Sequence, residues 1–76
     1  MKLTDIERFV IDKVRARRNE LGMTQLDLAV ASGYSSSFIA VVESGRYDKK
    51  YNLNNLNAFA KALKCSVKDF LPDEPF

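Results

Sequence analysis

Thr24-Gln25-Leu26-Asp27-Leu28-Ala29-Val30-Ala31-Ser32-Gly33-Tyr34-Ser35-Ser36-Ser37-Phe38-Ile39-Ala40-Val41-Val42-Glu43-Ser44-Gly45 is the stretch on which the fold turns. Thr24 reads as an N-cap, with Asp27 three residues on in the place where a capping box usually carries Glu. A short helix over 25–32 follows and stops at Gly33. Ser35 is the next natural N-cap, and the helix after it runs over 36–44 to a second stop at Gly45. Two helices that cross steeply need a small residue midway along the first and a left-handed residue four positions later. Ala29 and Gly33 meet those two needs. Leu28, Tyr34, Ile39 and Val42 supply apolar faces for the helices to bury. Each feature alone is common, but all of them at these offsets predict a helix-turn-helix.

The flanks read as helices too. Thr4-Asp5-Ile6-Glu7 is a capping box, and Ile6, Phe9, Val10, Val14 and Leu21 follow it at helical spacing up to the stop at Gly22. Arg46 to Tyr51 is a polar loop. Asn52 caps a helix whose apolar positions are Leu53, Leu56, Phe59, Ala60 and Leu63. Ser66-Val67-Lys68-Asp69 opens a short fifth helix ending at Leu71, because Pro72 forbids continuation. The expected fold is therefore all-α, a compact five-helix bundle over residues 1–71 with a tail at 72–76 and no strand.

Composition sets the outer limits. Seventy-six residues make one domain, and the 46% apolar and 29% charged fractions argue against disorder. The longest apolar run, Phe38–Val42, is far too short for a membrane span. The first residues lack the apolar stretch of a secretory signal, so a cytoplasmic setting is expected. With no histidine and a single cysteine, Cys65, there is no Ser-His or Cys-His pair and no ordinary zinc site. The three glycines all fall at helix ends rather than in a phosphate loop. The expectation is a non-enzyme with no metal or cofactor. Residues 69–76 hold three acids and no base, so the first 68 residues carry twelve bases against seven acids, a net +5. A basic body suits a polyanionic partner, although a solvated mixed-charge surface explains the same balance.

Residues 12–71 resemble the helix-turn-helix domain of the lambda-repressor-like, or XRE, family. The resemblance rests on Arg15-x-Arg17-Arg18-x-x-Leu21-Gly22-Met23-Thr24-Gln25, on Leu28-Ala29 with Gly33, on Ile39 with Glu43-Ser44-Gly45, and on Leu56, Ala60 and Leu63 before Ser66-Val67 and Phe70-Leu71. It implies sequence-specific binding to double-stranded DNA by a transcriptional regulator, a repressor first of all, usually a homodimer and associated with the nucleoid. Helix 36–44 would enter the major groove, with Ser36, Ser37, Ala40 and Val41 facing base edges. Gln25 and Ser35 match positions that hold phosphates, and Arg46, Lys49 and Lys50 would track the backbone. Arg18 and Glu43 match a structural ion pair, which leaves Arg15 and Arg17 as simply exposed.

Two departures stand out. None of the four base-facing residues is Arg, Lys, Asn or Gln, the types that make bidentate contacts to purines. Three alternatives follow: help from DNA shape, readout by Tyr47, Lys49 or Lys50 from the loop, or a partner other than DNA. The last is a protein-interaction module, such as an antitoxin docking a toxin or a co-regulator, through Phe38 and Val41 or through the apolar C-terminal end at Phe70, Leu71 and Phe76. That same end suits pairing with a second copy. Ser32 also stands where the family carries an apolar residue. For Tyr47 and Tyr51, stacking on sugars or bases and plain loop packing stay open. Phe38 is expected to pack partly on the domain, and Cys65 to be an inert thiol.

Overall fold

The computed structural model describes residues 2–76. Four α-helices are present: α1 (Asp5–Glu20), α2 (Gln25–Ser32), α3 (Ser36–Ser44) and α4 (Leu53–Ala62). Side-chain caps start all four. Thr4 Oγ1 accepts from the Glu7 amide while Glu7 Oε1 accepts from the Thr4 amide, and Thr24 with Asp27 and Asn52 with Asn55 close the same reciprocal box. Ser35 Oγ accepts from the Phe38 amide. Each cap satisfies amides that the first turn of a helix leaves without partners.

The expected fifth helix is a single 3-10 turn, Val67–Phe70. Its length is cut at Leu71, which is extended at φ −104° and ψ 150° because the ring of Pro72 disfavours helical backbone in the residue before it. The described residues are thus all-helical, with four α-helices rather than five and no strand.

Among the elements, α2 packs on α3 and α4, α1 on α3 and on the 3-10 turn, and α4 on the same turn. Val14, Leu28, Ile39, Val42, Phe59 and Leu63 are wholly buried at their centre, with Phe70 closing one end. Tyr34, Phe38, Tyr51 and Phe59 form a chain of tilted and edge-on rings, the closest pair being Tyr51 and Phe59 at 4.8 Å between centroids. Three expected core positions lie outside it. Leu53 is 74% exposed at the first position of α4, and Asn55, held by the cap, takes the buried place in that turn. Ile6 and Leu21, near the two ends of α1, are exposed, while Ile11 is buried. The tail folds back so that Phe76 meets the ring of Phe9 edge-on at 5.7 Å.

Candidate nucleic-acid interface

The two central helices meet across three residues, Gly33 to Ser35. Gly33 sits at φ +83°, a left-handed conformation that other residues adopt only with strain, and its amide closes α2 onto the Ala29 carbonyl. Ser32 makes only local contacts there, its hydroxyl donating to the Ala29 carbonyl and accepting from the Tyr34 amide. With Ala29 buried, α3 lies close across α2.

The inner face of α3 is Ile39, Val42 and Glu43, all buried. Its outer face carries Ser37 and Val41, exposed, with Ser36 and Ala40 half-buried beside them. Phe38 is half-buried against Tyr34 and Tyr51 and is part of the domain rather than a free wedge. Because Ser35 occupies the Phe38 amide and its own carbonyl takes the Ile39 amide, the Ser36 and Ser37 amides stay open at the positive end of the helix dipole. An open cleft of about 420 Å³ lies along the C-terminal half of this face, lined by Ala40, Val41, Ser44, Arg46 and Tyr47.

One buried carboxylate fixes how α3 sits. Arg18 donates from Nε to Glu43 Oε2 at 3.0 Å and from Nη2 to Oε1 at 2.8 Å, a two-pronged charge-assisted contact, while its Nη1 donates to the Met23 carbonyl at 2.7 Å. Gln25 Nε2 donates to Glu43 Oε1 at 3.0 Å. Arg15 adds its Nε at 3.5 Å from Oε1 and donates from Nη2 to the Glu43 carbonyl. Glu43 thus ties α1, the start of α2 and the end of α3 together.

Several readings change here. Arg15 and Arg17 are not simply exposed. Arg15 caps the end of α3, and Arg17 donates to the Leu63 carbonyl at 3.0 Å and to Glu20 at 2.6 Å, which pins α1 to the end of α4. The side-chain amide of Gln25 is held by Glu43. Lys50 Nζ is 2.8 Å from Glu7 Oε2 on α1; this contact is what lowers the Glu7 pKa and raises that of Lys50. Arg46 and Lys49 are exposed. Tyr51 is buried and unavailable for stacking, and its hydroxyl has no hydrogen-bond partner among the described residues. Burial pushes the Tyr51 pKa up, with the charge of Glu43 adding to it. Tyr47, at 55% exposure, remains open.

The profile of the helix-turn-helix family matches residues 14–70, which hold all of α2, α3 and α4. The chain belongs to the helix-turn-helix family. The likeness extends to solved structures. This helix-turn-helix chain is similar to the wild-type restriction-modification controller protein C.Esp1396I at 27% identity and a TM-score of 0.78, over 88% of this chain and 84% of that one. It is similar also to the restriction-modification controller protein C.AhdI from Aeromonas hydrophila, at 28% identity and a TM-score of 0.75, over 88% and 97% of the two chains. The hypothetical transcription factor NHTF from Neisseria, at 24% identity and a TM-score of 0.77 over 95% and 84%, shares the fold. No curated protein matches the sequence. The helix-turn-helix chain is a DNA-binding transcriptional regulator.

Sequence reading missed the roles of Arg15 and Arg17, and the placement of Arg8, in this helix-turn-helix chain. The signal was their spacing. At about 100° per residue, positions 8, 15 and 18 share one side of α1 and position 17 falls on another. The first three turn toward the C-terminal end of α3 and Arg17 toward that of α4. Among the described residues no helix is long and apolar enough to cross a membrane, and no group of His, Cys, Asp and Glu is placed to hold a metal. Cys65 is half-buried, and that burial raises its pKa.

Proposed function

We propose that the protein is a sequence-specific repressor that lays α3 in the major groove of double-stranded DNA. Residues 1–71 form its binding domain and 72–76 a tail. Ser36, Ser37, Ala40 and Val41 face the bases. The backbone amide of Gln25, Ser35 at the start of α3, and Arg46, Lys49 and Lys50 hold phosphates. Arg18 and Glu43 are the structural pair. The observation that carries this reading is the asymmetry of α3: its inner face is locked through Glu43 to two other helices, while its outer face stays open at the amide end.

Two serines, an alanine and a valine discriminate bases weakly, since the strong readers form bidentate pairs with purines. Specificity therefore draws on DNA shape and on Tyr47, which borders the cleft beside Val41. Lys50 reaches a phosphate by exchanging its exposed ion pair with Glu7, a contact of the kind worth little in water. The protein acts as a homodimer, with two α3 helices about 34 Å apart to meet successive major grooves. It works in the cytoplasm on the nucleoid. The likeness to restriction-modification controllers supports a controlling role at a promoter.

The test compares wild type, Lys49→Glu and Val41→Asp on a duplex selected by the wild-type protein from a random pool, and on an unrelated duplex. Lys49→Glu is expected to weaken binding to both and to flatten the salt dependence. Val41→Asp is expected to weaken binding to the selected duplex far more. If the Val41→Asp protein still prefers the selected duplex as strongly as wild type does, α3 is not the reader. If wild type binds no duplex, the protein docks another protein instead.

A further inference from the structure

Sequence reading assigns Arg8 no role, and among the described residues its side chain enters no ion pair or hydrogen bond, although its amide donates to the Thr4 carbonyl. Arg8 is exposed and has no carboxylate within 4.0 Å among the described residues. It is nevertheless not adrift. A Cβ placed on Gly45 would stand 3.7 Å from Arg8 Nη1, so the guanidinium lies over the C-terminal cap of α3. Three features of that place explain why a cation is held there. The last turn of α3 carries no base of its own, while its carbonyls form the negative end of the helix dipole. Arg15, one face-repeat further along α1, already donates to the Glu43 carbonyl beside it. Gly45 sits at φ +67° without a side chain, which leaves the guanidinium room to approach. Arg46, the next residue after the cap, opens the cationic loop and borders the cleft along the readout face.

The geometry points to Arg8 as a further phosphate-binding residue of the DNA interface. It is a limb from α1 that joins Arg46 and Lys49 at the C-terminal end of α3. In the free protein its neighbour Glu7 is already paired with Lys50. Like Arg46 and Lys49, Arg8 needs no exchange of a carboxylate partner before it meets a phosphate, whereas Lys50 must first leave Glu7. Its fork matches phosphate oxygens in two-pronged geometry. This inference rests on the DNA-binding reading above and adds an element, α1, that the loop and the recognition helix do not include.

The test measures binding of a fluorescein-labelled random-sequence duplex, two helical turns long, by fluorescence anisotropy across a range of salt concentrations. Wild type is compared with Arg8→Gln, Arg8→Lys and Lys68→Gln. Lys68 belongs to the 3-10 turn, which packs by the other half of α1. Each phosphate contact contributes close to one unit to the slope of log affinity against log salt. Arg8→Gln is expected to lower the slope by about one and to weaken binding roughly 5–10-fold near 0.1 M salt. Arg8→Lys should keep the slope, and Lys68→Gln should match wild type. Thermal melting of each variant checks that the fold is intact. A wild-type slope in Arg8→Gln overturns the assignment while leaving DNA binding standing, as does a lowered melting point with unchanged binding. A wild-type protein with no salt-dependent binding at all overturns the reading on which the assignment rests.

Discussion

Glu43 carries more of the architecture than any other single polar residue. Its carboxylate receives Arg18 and Gln25, with Arg15 at the edge of contact, and it is itself buried. Glu43→Ala leaves the Arg18 guanidinium buried without its anion. Such a loss costs about 3–5 kcal/mol. Urea unfolding of the variant is expected to show that drop, and DNA affinity should fall with it because α3 loses its tether to α1. Tyr51 makes the opposite case. Its ring packs on Phe38 and Phe59, but its hydroxyl is buried without a partner. Removing an unpaired polar group while keeping the ring relieves a desolvation cost. Tyr51→Phe is expected to leave stability unchanged or raise it by up to about 1 kcal/mol in the same measurement. Neither fact was readable residue by residue. Arg18 and Glu43 were legible as a pair through the family pattern, but Arg15 and Gln25 joined them only once three helices had closed on one point.

At the scale of the element, ends decide more than interiors. Thr4, Thr24, Ser35 and Asn52 were all legible as caps, because a Ser, Thr or Asn before an apolar-periodic run has a definite job in satisfying free amides. The end of α4 was less legible. There Lys64 stands at φ +55° in the left-handed place that glycine usually fills, and the Cys65 amide reaches back to the Ala60 carbonyl. Lys64→Gly is expected to raise stability by roughly 0.5–1 kcal/mol, read as a shift in the urea midpoint. The caps also make the fold sensitive to acid. The Asp27 carboxylate is held below its ordinary value of 3.8 by the amide and hydroxyl of Thr24. Glu7 is held below 4.5, first by Lys50 and then by the Thr4 amide. A carboxyl group depressed in the folded state stabilises fully above its ordinary pKa and loses that contribution as pH falls through the folded value. Stability is therefore expected to decline below about pH 4.5, and the double variant Glu7→Gln with Asp27→Asn should decline less steeply over that range. The last element was legible in place, although it is a 3-10 turn and not an α-helix, for a related reason. Four residues before a Leu-Pro pair close one tight turn, and the spacing of Val67, Phe70 and Leu71 reads alike for a 3-10 turn and a short α-helix.

For the whole molecule, the helix-turn-helix was legible because its turn and crossing demand particular residues at fixed offsets, and Ala29, Gly33 and Ser35 meet them. The surface was less so, since charge alone does not tell a free lysine from one already paired. Lys50 is tied to α1, while Arg46, Lys49 and Arg8 have no carboxylate within 4.0 Å among the described residues. The molecule that results presents a locked helix with few strong base readers, flanked by cations at one end and open amides at the other. On the proposed reading such a surface binds any duplex through its backbone, and specificity comes from fit of the α3 face and from DNA shape. The central claim is that this fit exists. Fluorescence anisotropy on the duplex immediately upstream of the protein's own gene, beside an unrelated duplex at several salt concentrations, tests it most directly. The expected result is binding at least about 10³-fold tighter to the upstream duplex, with a steep salt dependence on both. Equal affinity for the two duplexes at every salt concentration would contradict it.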